Sequence, residues 1–251
     1  MSTSVQTAVG RFVWHDHISE DPEAARAFYA ELMGWEIEIW KAGEVDYPMI
    51  KANGQTHGGF GPAQGGAPPH WLGHVAVENV DEAAGRAKAA GGTVLAEMDI
   101  PEVGRMAVTR DPQGAVLSLF TPAGDPPTSE GVFVWDELVT GDVESAKRFY
   151  GEVIGWKASD QEMPNGVYTI FNSGEAQRAG CMTFPPAAEG PPRWLPYLGT
   201  ADVDASAARA EELGATSFMG PTDVPDVGRV AVLGDPTGAA FGLFQPSETG
   251  S

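Results

Sequence analysis

Apolar and polar residues follow a regular succession of spacings from the start of the chain. Phe12 to Ile18 is a short run of aromatic and branched residues, which predicts a β-strand. Asp21 and Pro22 are typical of a helix start, and apolar residues then recur at spacings of three and four until Gly34. The pattern therefore predicts a strand followed by an amphipathic helix.

The same succession continues along the first half of the chain. Short strands are predicted around residues 47–51 and 56–60, and a new strand begins at His74. The helix after it is predicted to start with Asp81 as its cap and to run to Ala90, before two glycines. Three further strands are predicted at residues 94–97, 106–109 and 115–120. The first half of the chain is therefore predicted to contain two β-α-β-β-β units of about 50 residues each.

The second half of the chain repeats the first in sequence. Phe12–Glu36 and Phe133–Lys157 are identical at eleven of 25 positions without a gap. Ile100–Pro122 and Val224–Pro246 are identical at thirteen of 23 positions. Six of the seven tryptophans also pair in this register. The repeat is too long for a solenoid, so it predicts two homologous domains.

The predicted domains are residues 1–121 and 131–251. The polar, Pro-rich run 122–130 between them is suited to a linker. The helices of the second domain are predicted to follow Asp142 and Asp204.

The charge and composition of the chain limit the classes of molecule that it is expected to bind. The chain has 35 acidic and 15 basic side chains, a formal net charge of −20, which disfavours nucleic acid and anionic membranes. The single Cys181 gives neither an intrachain disulfide nor a cysteine metal cluster. The start lacks a secretory signal, and no apolar stretch approaches the roughly 20 residues of a membrane helix. We expect a cytoplasmic protein, monomer or homodimer, that binds a small molecule.

Two motifs connect the chain to a known family. The first is Asp21, Phe28-Tyr29 and Gly34-Trp35 after the first strand, and the second is Asp111-Pro-Gln-Gly before the last strand. Both recur in the second half. With the tandem β-α-β-β-β units, they resemble the vicinal oxygen chelate superfamily, which includes glyoxalase I, bleomycin resistance proteins and extradiol dioxygenases. Phe-Val-Trp before a short acidic segment is similar to a bacterial glyoxalase-like subfamily often labelled as hydroxylases.

The resemblance implies an α+β fold of tandem glyoxalase-like domains. In each domain, two paired βαβββ units would enclose a cupped β-sheet cavity. Metal enzymes of the superfamily place His or Glu side chains on the first and last strands of each unit, where they bind a divalent cation that acts as a Lewis acid.

In the first domain these metal-ligand positions are only partly filled. The first-strand position falls on Trp14, which cannot bind a metal, whereas Asp16 shares its strand face. His74 stands at the second position, and Ser118 replaces the usual Glu. His57 lies near the fourth position.

A divalent metal, if bound in the first domain, would use Asp16, His57 and His74, although a metal-free cavity is favoured. His15 and His17 are expected on the opposite strand face with structural roles.

The second domain contains no histidine. Its corresponding positions hold Trp135, Glu137, Tyr197 and Gly242, which do not form a transition-metal site.

The candidate chemistry therefore depends on acids and aromatic residues. The candidate catalytic residues are Asp16, His74 and Glu137, since a buried carboxylate can act as a general base. Arg105 and Arg229 would hold a substrate carboxylate, or alternatively form salt bridges with Glu102 or Asp226. The other candidate substrate-binding residues are Trp14, Ser118, Trp135 and Tyr197.

Several other repeated residues are expected to have structural roles only. Asp111 and Asp235 are expected to form turns, and Cys181 to be a small core residue. Four repeated tryptophans are assigned to the core: Trp35, Trp71, Trp156 and Trp194.

Two functional hypotheses remain. The first is a glyoxalase-like enzyme of the isomerase, lyase or hydroxylase class, possible with or without a metal. The second is a binding protein of the bleomycin-resistance kind, which would sequester a small molecule without turnover.

Overall fold

The computed structural model describes residues 8–42, 45–126, 131–163, 166–184 and 190–247. Residues 127–130 of the predicted linker lie outside this description. Four β-α-β-β-β units follow one another along the chain, two in each half, which confirms the predicted α+β class.

The first half contains β1 to β8, α1 and α2. Its elements are β1 (Phe12–Ser19), α1 (Pro22–Met33), β2 (Glu36–Ala42), β3 (Val45–Ala52), β4 (Gln55–Pro62), β5 (His70–Ala76), α2 (Val80–Ala89), β6 (Thr93–Ile100), β7 (Gly104–Arg110) and β8 (Val116–Pro122).

The second half repeats this order. Its elements are β9 (Phe133–Thr140), α3 (Val143–Val153), β10 (Lys157–Met163), β11 (Gly166–Ser173), β12 (Ala176–Thr183), β13 (Arg193–Gly199), α4 (Val203–Glu212), β14 (Thr216–Val224), β15 (Gly228–Gly234) and β16 (Ala240–Pro246). None of the described helices is long and apolar enough to cross a membrane.

The strands form two eight-stranded sheets with the same order. The first sheet has the order β2-β3-β4-β1-β5-β8-β7-β6, and the second has β10-β11-β12-β9-β13-β16-β15-β14. Within each β-α-β-β-β unit the first strand pairs in parallel with the last one, as β1 does with β4. The remaining neighbours within a unit are antiparallel.

The chain forms two compact units. Each of them combines one β-α-β-β-β unit of the first half with one β-α-β-β-β unit of the second half. The central unit contains Leu72 to β8 with Trp135 to Trp194, together with the chain up to Trp14. The terminal unit contains His15 to Trp71 with Leu195 onward, together with a short segment that ends at Val134 in β9. The two repeats of the sequence thus contribute to both cores, and the domain boundaries at 121 and 131 stay a prediction.

Two helix starts differ from the expected positions. The caps are Asn79 and Asp202, whose side chains accept hydrogen bonds from Glu82 N and Ala205 N. The predicted caps, Asp81 and Asp204, lie inside the first helical turn. In both helices an Asn or Asp also lies two residues upstream, and the sequence pattern alone does not show which of the two residues is the cap.

The sequence analysis also missed a strand in each half. β2 and β10 follow directly after the first helix of their unit and pair antiparallel with β3 and β11. In β10 the residues are polar and almost all exposed, so no alternation reveals the strand. In β2 the alternation Glu36-Ile37-Glu38-Ile39 is present in the sequence and was overlooked.

A buried tyrosine bridges an indole and a carboxylate in the core of the central unit. Tyr150 on α3 donates a hydrogen bond to Asp111 Oδ2 at 3.0 Å and accepts one from Trp194 Nε1 at 3.0 Å. Asp111 Oδ1 accepts three more from the backbone N–H groups of residues 113–115. Burial, and then the charge of Asp111, raise the pKa of Tyr150 well above its ordinary value.

The terminal unit contains the same bridge with one addition. Tyr29 on α1 donates to Asp235 Oδ2 at 3.0 Å and accepts from Trp71 Nε1 at 3.0 Å. His17 Nε2 also lies 2.7 Å from Asp235 Oδ2. Burial by itself would raise the pKa of Asp235, but the hydrogen bond and charge of His17 outweigh it and hold that pKa below its usual value.

Asp111 and Asp235 therefore do more than the predicted turn chemistry. One oxygen of each caps its turn, and the other oxygen anchors a helix of a different β-α-β-β-β unit through tyrosine. The prediction of a turn is confirmed, whereas the prediction of a turn alone is wrong, because the partner tyrosine is distant in sequence.

We expect Tyr150→Phe to destabilise the protein more than Tyr29→Phe. Tyr150→Phe removes the hydroxyl that serves Asp111 Oδ2, and an unsatisfied buried acceptor costs about 1–3 kcal/mol. After Tyr29→Phe, Asp235 Oδ2 keeps His17, so the loss should be smaller. Urea unfolding of both variants measures the difference, and equal losses would contradict this account.

Candidate functional site

A carboxylate and a phenol form a pair on strands β1 and β3 of the terminal unit. Asp16 on β1 lies opposite Gly59 on the parallel strand β4. Tyr47 reaches across from β3, and its hydroxyl donates a hydrogen bond to Asp16 Oδ1. A Cβ atom built on Gly59 would overlap the Tyr47 ring, so only glycine leaves room for this contact. We call Asp16, Tyr47 and Gly59 the first acid–phenol site.

The central unit contains the equivalent arrangement. Glu137 on β9 lies opposite Gly180 on β12, and Tyr168 on β11 donates a hydrogen bond to Glu137 Oε2 at 2.8 Å. Trp135 Nε1 in turn donates to the Tyr168 hydroxyl at 2.9 Å. A Cβ atom on Gly180 would overlap that hydroxyl. We call Glu137, Tyr168, Gly180 and Trp135 the second acid–phenol site.

Burial shapes the electrostatics of the second acid–phenol site. Glu137 is only 7% exposed, whereas Tyr168 and Trp135 are half-buried. Burial, and then the charge of Glu137, raise the pKa of Tyr168 above its ordinary value. The phenol therefore keeps its proton at neutral pH and donates it in a hydrogen bond to the carboxylate.

The tyrosines of both sites were missed by the sequence analysis. Tyr47 and Tyr168 stand in a strand two positions away from their unit's acid in the sheet, and neither lies near it in sequence. The available signal was their recurrence in both halves together with a glycine on the next strand. That signal becomes informative only when the strand order is known.

The other positions that the family resemblance assigns to metal ligands lie on paired strands. His74 pairs with Ser118 between β5 and β8, and Tyr197 pairs with Gly242 between β13 and β16. His74 and Ser118 are both buried. A Cβ atom on Gly242 would overlap the Tyr197 ring, so this position cannot carry a carboxylate while the ring stays in place.

The residues do not fit a metal site of three or more protein ligands. Within the part of the chain that the structure describes, no group of three His, Cys, Asp or Glu side chains could hold a metal ion. The set of Asp16, His57 and His74 stays a prediction, because Asp16 and His57 belong to the terminal unit and His74 belongs to the central unit. His57 Nε2 lies 3.0 Å from the carbonyl oxygen of Ala52.

The two histidines assigned to structural roles are both fully buried. His15 stacks on Phe133 with ring centroids 4.0 Å apart, and His17 binds Asp235 and packs edge-on against Trp71. Their burial among aromatic rings agrees with the expected structural roles.

The two candidate arginines are engaged by acids. Arg105 donates to Asp81 and Asp99, and Arg229 donates to Asp204 and Asp223, at distances of 2.6 to 2.9 Å. The two arginines thus pair with these acids and not with the expected partners Glu102 and Asp226. Both expected partners occupy left-handed turn positions, with φ of 64° and 62°.

The remaining structural assignments are placed as expected. Cys181 is fully buried, and burial followed by the charge of Glu137 raises the pKa of its thiol to about 12. The four tryptophans assigned to the core are all at least 94% buried: Trp35, Trp71, Trp156 and Trp194.

Family models match both halves of the chain. The model described as Glyoxalase/Bleomycin resistance protein/Dioxygenase superfamily matches residues 133–243, and the model described as Glyoxalase-like domain matches residues 13–120.

Two relatives match nearly the whole chain. The protein named "Putative glyoxylase CFP32" of Mycobacterium tuberculosis is 35% identical over 247 residues, covering 93% of this chain and 94% of the relative. Anthracycline biosynthesis protein DnrV of Streptomyces peucetius is 30% identical over 266 residues, covering 96% and 95%.

Solved structures share the fold at low sequence identity. The Mn(II)-bound glyoxalase from Novosphingobium aromaticivorans has a TM-score of 0.66 at 20% identity, covering 95% of this chain and 82% of that chain. The 2,3-dioxygenase LapB from Pseudomonas sp. KL28 has a TM-score of 0.65 at 12% identity, covering 94% and 92%.

We expect Gly180→Ala to displace Tyr168 from Glu137, because the new methyl group would occupy the position of the phenol oxygen. The melting temperature should fall, and a crystal structure of the variant should show the hydrogen bond broken. Gly220→Ala is the control, since no atom lies within 4 Å of its added Cβ. An intact Tyr168–Glu137 hydrogen bond in Gly180→Ala would contradict the close packing described here.

We expect added Zn²⁺, Mn²⁺ or Fe²⁺ to leave the melting temperature unchanged in both the wild type and His74→Ala. Tight sites for these ions use three or more protein ligands, and the described residues provide no such group. Elemental analysis of tag-free protein provides a second measurement. One equivalent of metal that disappears in His74→Ala would overturn this expectation.

Proposed function

The chain belongs to the glyoxalase/bleomycin resistance protein/dioxygenase superfamily, and we propose that it is a small-molecule enzyme that transfers protons at its acid–phenol sites. The observation that carries this proposal is the repetition of one arrangement in two diverged halves. Each half has a carboxylate on its first strand, a tyrosine hydroxyl bound to it, and a glycine that leaves room for the phenol.

Such a pair is suited to general acid–base chemistry. Asp16 or Glu137 accepts a proton from the substrate, and the hydrogen bond from Tyr47 or Tyr168 holds the carboxylate in position. Trp135 aligns the phenol, because its indole N–H takes up one acceptor site of the Tyr168 oxygen and leaves the O–H for Glu137. His74, buried beside Ser118, is proposed as a second proton carrier.

We propose a substrate with a carbonyl group next to a C–H bond, and a reaction of the isomerase or lyase class. Removal of that proton leaves an enolate, which is an enediolate when the carbon also bears a hydroxyl group. Transfer of the hydroxyl proton to the other oxygen and return of a proton to the former carbonyl carbon complete an isomerisation. Within their own compact units, Trp14 and Trp135 of the central unit and Tyr197 of the terminal unit would bind the apolar part of such a molecule. A relative named for anthracycline biosynthesis supports a small-molecule substrate.

No step of this proposal uses a metal. The superfamily's metal enzymes employ a divalent cation as a Lewis acid, but the described residues of this chain do not supply three ligands. Proton transfer at a carboxylate is the chemistry that the residues themselves can perform.

The second candidate function is ligand sequestration without turnover. The observation that favours it is the pairing of Tyr197 with Gly242, where the ring overlies a position at which the superfamily's enzymes place a carboxylate. A binding protein requires a shaped surface but no proton acceptor. The two functions therefore differ in their response to replacement of the acids.

We expect the protein to catalyse exchange of carbon-bound hydrogen for deuterium in dihydroxyacetone or hydroxyacetone dissolved in D₂O, followed by proton NMR. Asp16→Asn combined with Glu137→Gln should lower this exchange about 100-fold or more, because both proton acceptors are lost. The control is Glu162→Gln, which replaces an exposed acid on β10 outside both sites. Exchange that is equally fast in the double variant would exclude these carboxylates as the base, and wild-type protein without exchange would favour sequestration.

A further inference from the structure

Two aromatic rings lie over glycines on one face of strands β13–β16. A Cβ atom built on Gly242 of β16 would overlap the Tyr197 ring, and one built on Gly234 of β15 would lie 2.7 Å from Cζ of Phe218. Each ring therefore fills the space in which another residue would carry its side chain. Both rings lie on the same face, because Gly234 pairs with Ala240 and side chains alternate along β16 to Gly242.

The neighbouring side chains on this face are apolar. Val232 on β15 pairs with Gly242 on one side and with Met219 on the other, and Phe244 lies two residues beyond Gly242. The register of β14 shifts at Phe218, so this residue is an extra one that a β-bulge turns toward the face of Met219. We call this set the neutral platform: Tyr197, Phe218, Met219, Val232 and Phe244.

The opposite face of these strands packs in the core and carries their charges. Leu233 and Phe241 on that face are fully buried. Within β14–β16, whose residues are all described, the charged residues are Asp223 and Arg229. Arg229 binds Asp223 at 2.7 Å and Asp204 of α4 at 2.6 Å, on the helix side of the sheet. The face with the neutral platform therefore receives no charged side chain from these three strands.

The equivalent strands of the first half carry polar side chains on this face. In the alignment of the two halves, Arg110 stands at the position of Gly234 and Ser118 at that of Gly242. The register of β7 and β8 places Arg110 and Ser118 on one face, and Ser118 pairs with His74 on β5. The two faces have therefore diverged, one toward charge and hydrogen bonding and the other toward aromatic rings.

We propose that the neutral platform binds a flat, uncharged ring system, which stacks on Phe218 and covers Val232. Phe218 is 58% exposed, so a molecule from solvent reaches its ring, and aromatic pairs favour offset stacking. A charged ligand would lose hydration on this face without gaining a partner.

The size of the neutral platform favours a small molecule over a protein partner. Five side chains are far fewer than the roughly 20–30 residues that each partner contributes to a stable protein interface. This inference rests on the proposed function for the assignment of a small-molecule ligand, and it names the class of that ligand.

An NMR titration of the isotope-labelled, full-length protein tests the proposal with probes of similar size. 2-Naphthol is flat and uncharged at neutral pH, decahydro-2-naphthol has the same carbon skeleton but is not flat, and 1-methylquinolinium is a flat cation. We expect 2-naphthol to shift the amide signals of β14–β16 and to bind at least about 5-fold more tightly than the other two. The comparison with the cation is demanding, because the net charge of −20 by itself attracts cations. Equal affinities, or shifts confined to other strands, would overturn the proposal.

Phe218→Ser removes the exposed ring. We expect the affinity for 2-naphthol to fall about 3- to 10-fold, since one stacking contact is lost. Met98→Ser is the matched control, because it removes a 51% exposed apolar side chain from β6, the strand equivalent to β14. An equal loss of affinity in both variants would show unspecific apolar binding and would contradict the role of Phe218.

Gly234→Ala tests the position of the ring without removing it. The new methyl group would lie 2.7 Å from Cζ of Phe218, so the ring must move. We expect a loss of affinity like that of Phe218→Ser, and no further loss when the two changes are combined, because both act through one ring. Gly220→Ala is the control on the same edge strand, since no atom lies within 4 Å of its added Cβ. Additive losses in the double variant would overturn the inference.

These results are independent of the deuterium exchange measurement, because the titration needs no turnover. Exchange retained without a preference for 2-naphthol would remove only the inference. Binding at the neutral platform without any exchange would remove only the proposed function.

Discussion

Each compact unit depends on a buried tyrosine held between an indole N–H and a carboxylate. In the central unit Tyr150 joins α3 to the turn before β8 and to the first residues of β13, with every polar atom of the bridge satisfied. Buried polar groups without partners are costly, so the three elements are stable only in the arrangement that completes these bonds. Because the carboxylate also caps its own turn, the start of the last strand is fixed together with the helix.

In the two sheets, glycines leave room for tyrosine rings. At Gly59, Gly180 and Gly242 a tyrosine ring occupies the space that a Cβ atom would need. In two of these positions the phenol reaches a carboxylate on the neighbouring strand, and in the third it overlies the position of a metal-ligating Glu. The same packing device therefore creates the acid–phenol pairs, for which we propose proton transfer, and fills a ligand position of the superfamily's metal enzymes.

The fold was largely predictable from sequence, because the long repeat and the Phe-Tyr and Asp-Pro motifs recur at corresponding positions. The edge strand β10 was not, since its residues are polar and almost all exposed. The edge strand β2 does alternate, as Glu36-Ile37-Glu38-Ile39, and could have been found. The acids Asp16 and Glu137 could be found by combining the first-strand position that the family resemblance implies with the strand period. Their phenol partners Tyr47 and Tyr168 could not, because proximity between non-consecutive strands is a property of sheet order.

Both cores are built from one β-α-β-β-β unit of each repeat, and this has an evolutionary consequence. Loss of either repeat would remove half of each core, so selection for a folded chain preserves both copies whatever their chemistry. Mutations on the solvent-facing sheet surface escape that constraint. A duplicated protein of this kind can therefore diverge at one site without losing its fold, and Trp40 beside Tyr47 with Gln161 beside Tyr168 are one such difference.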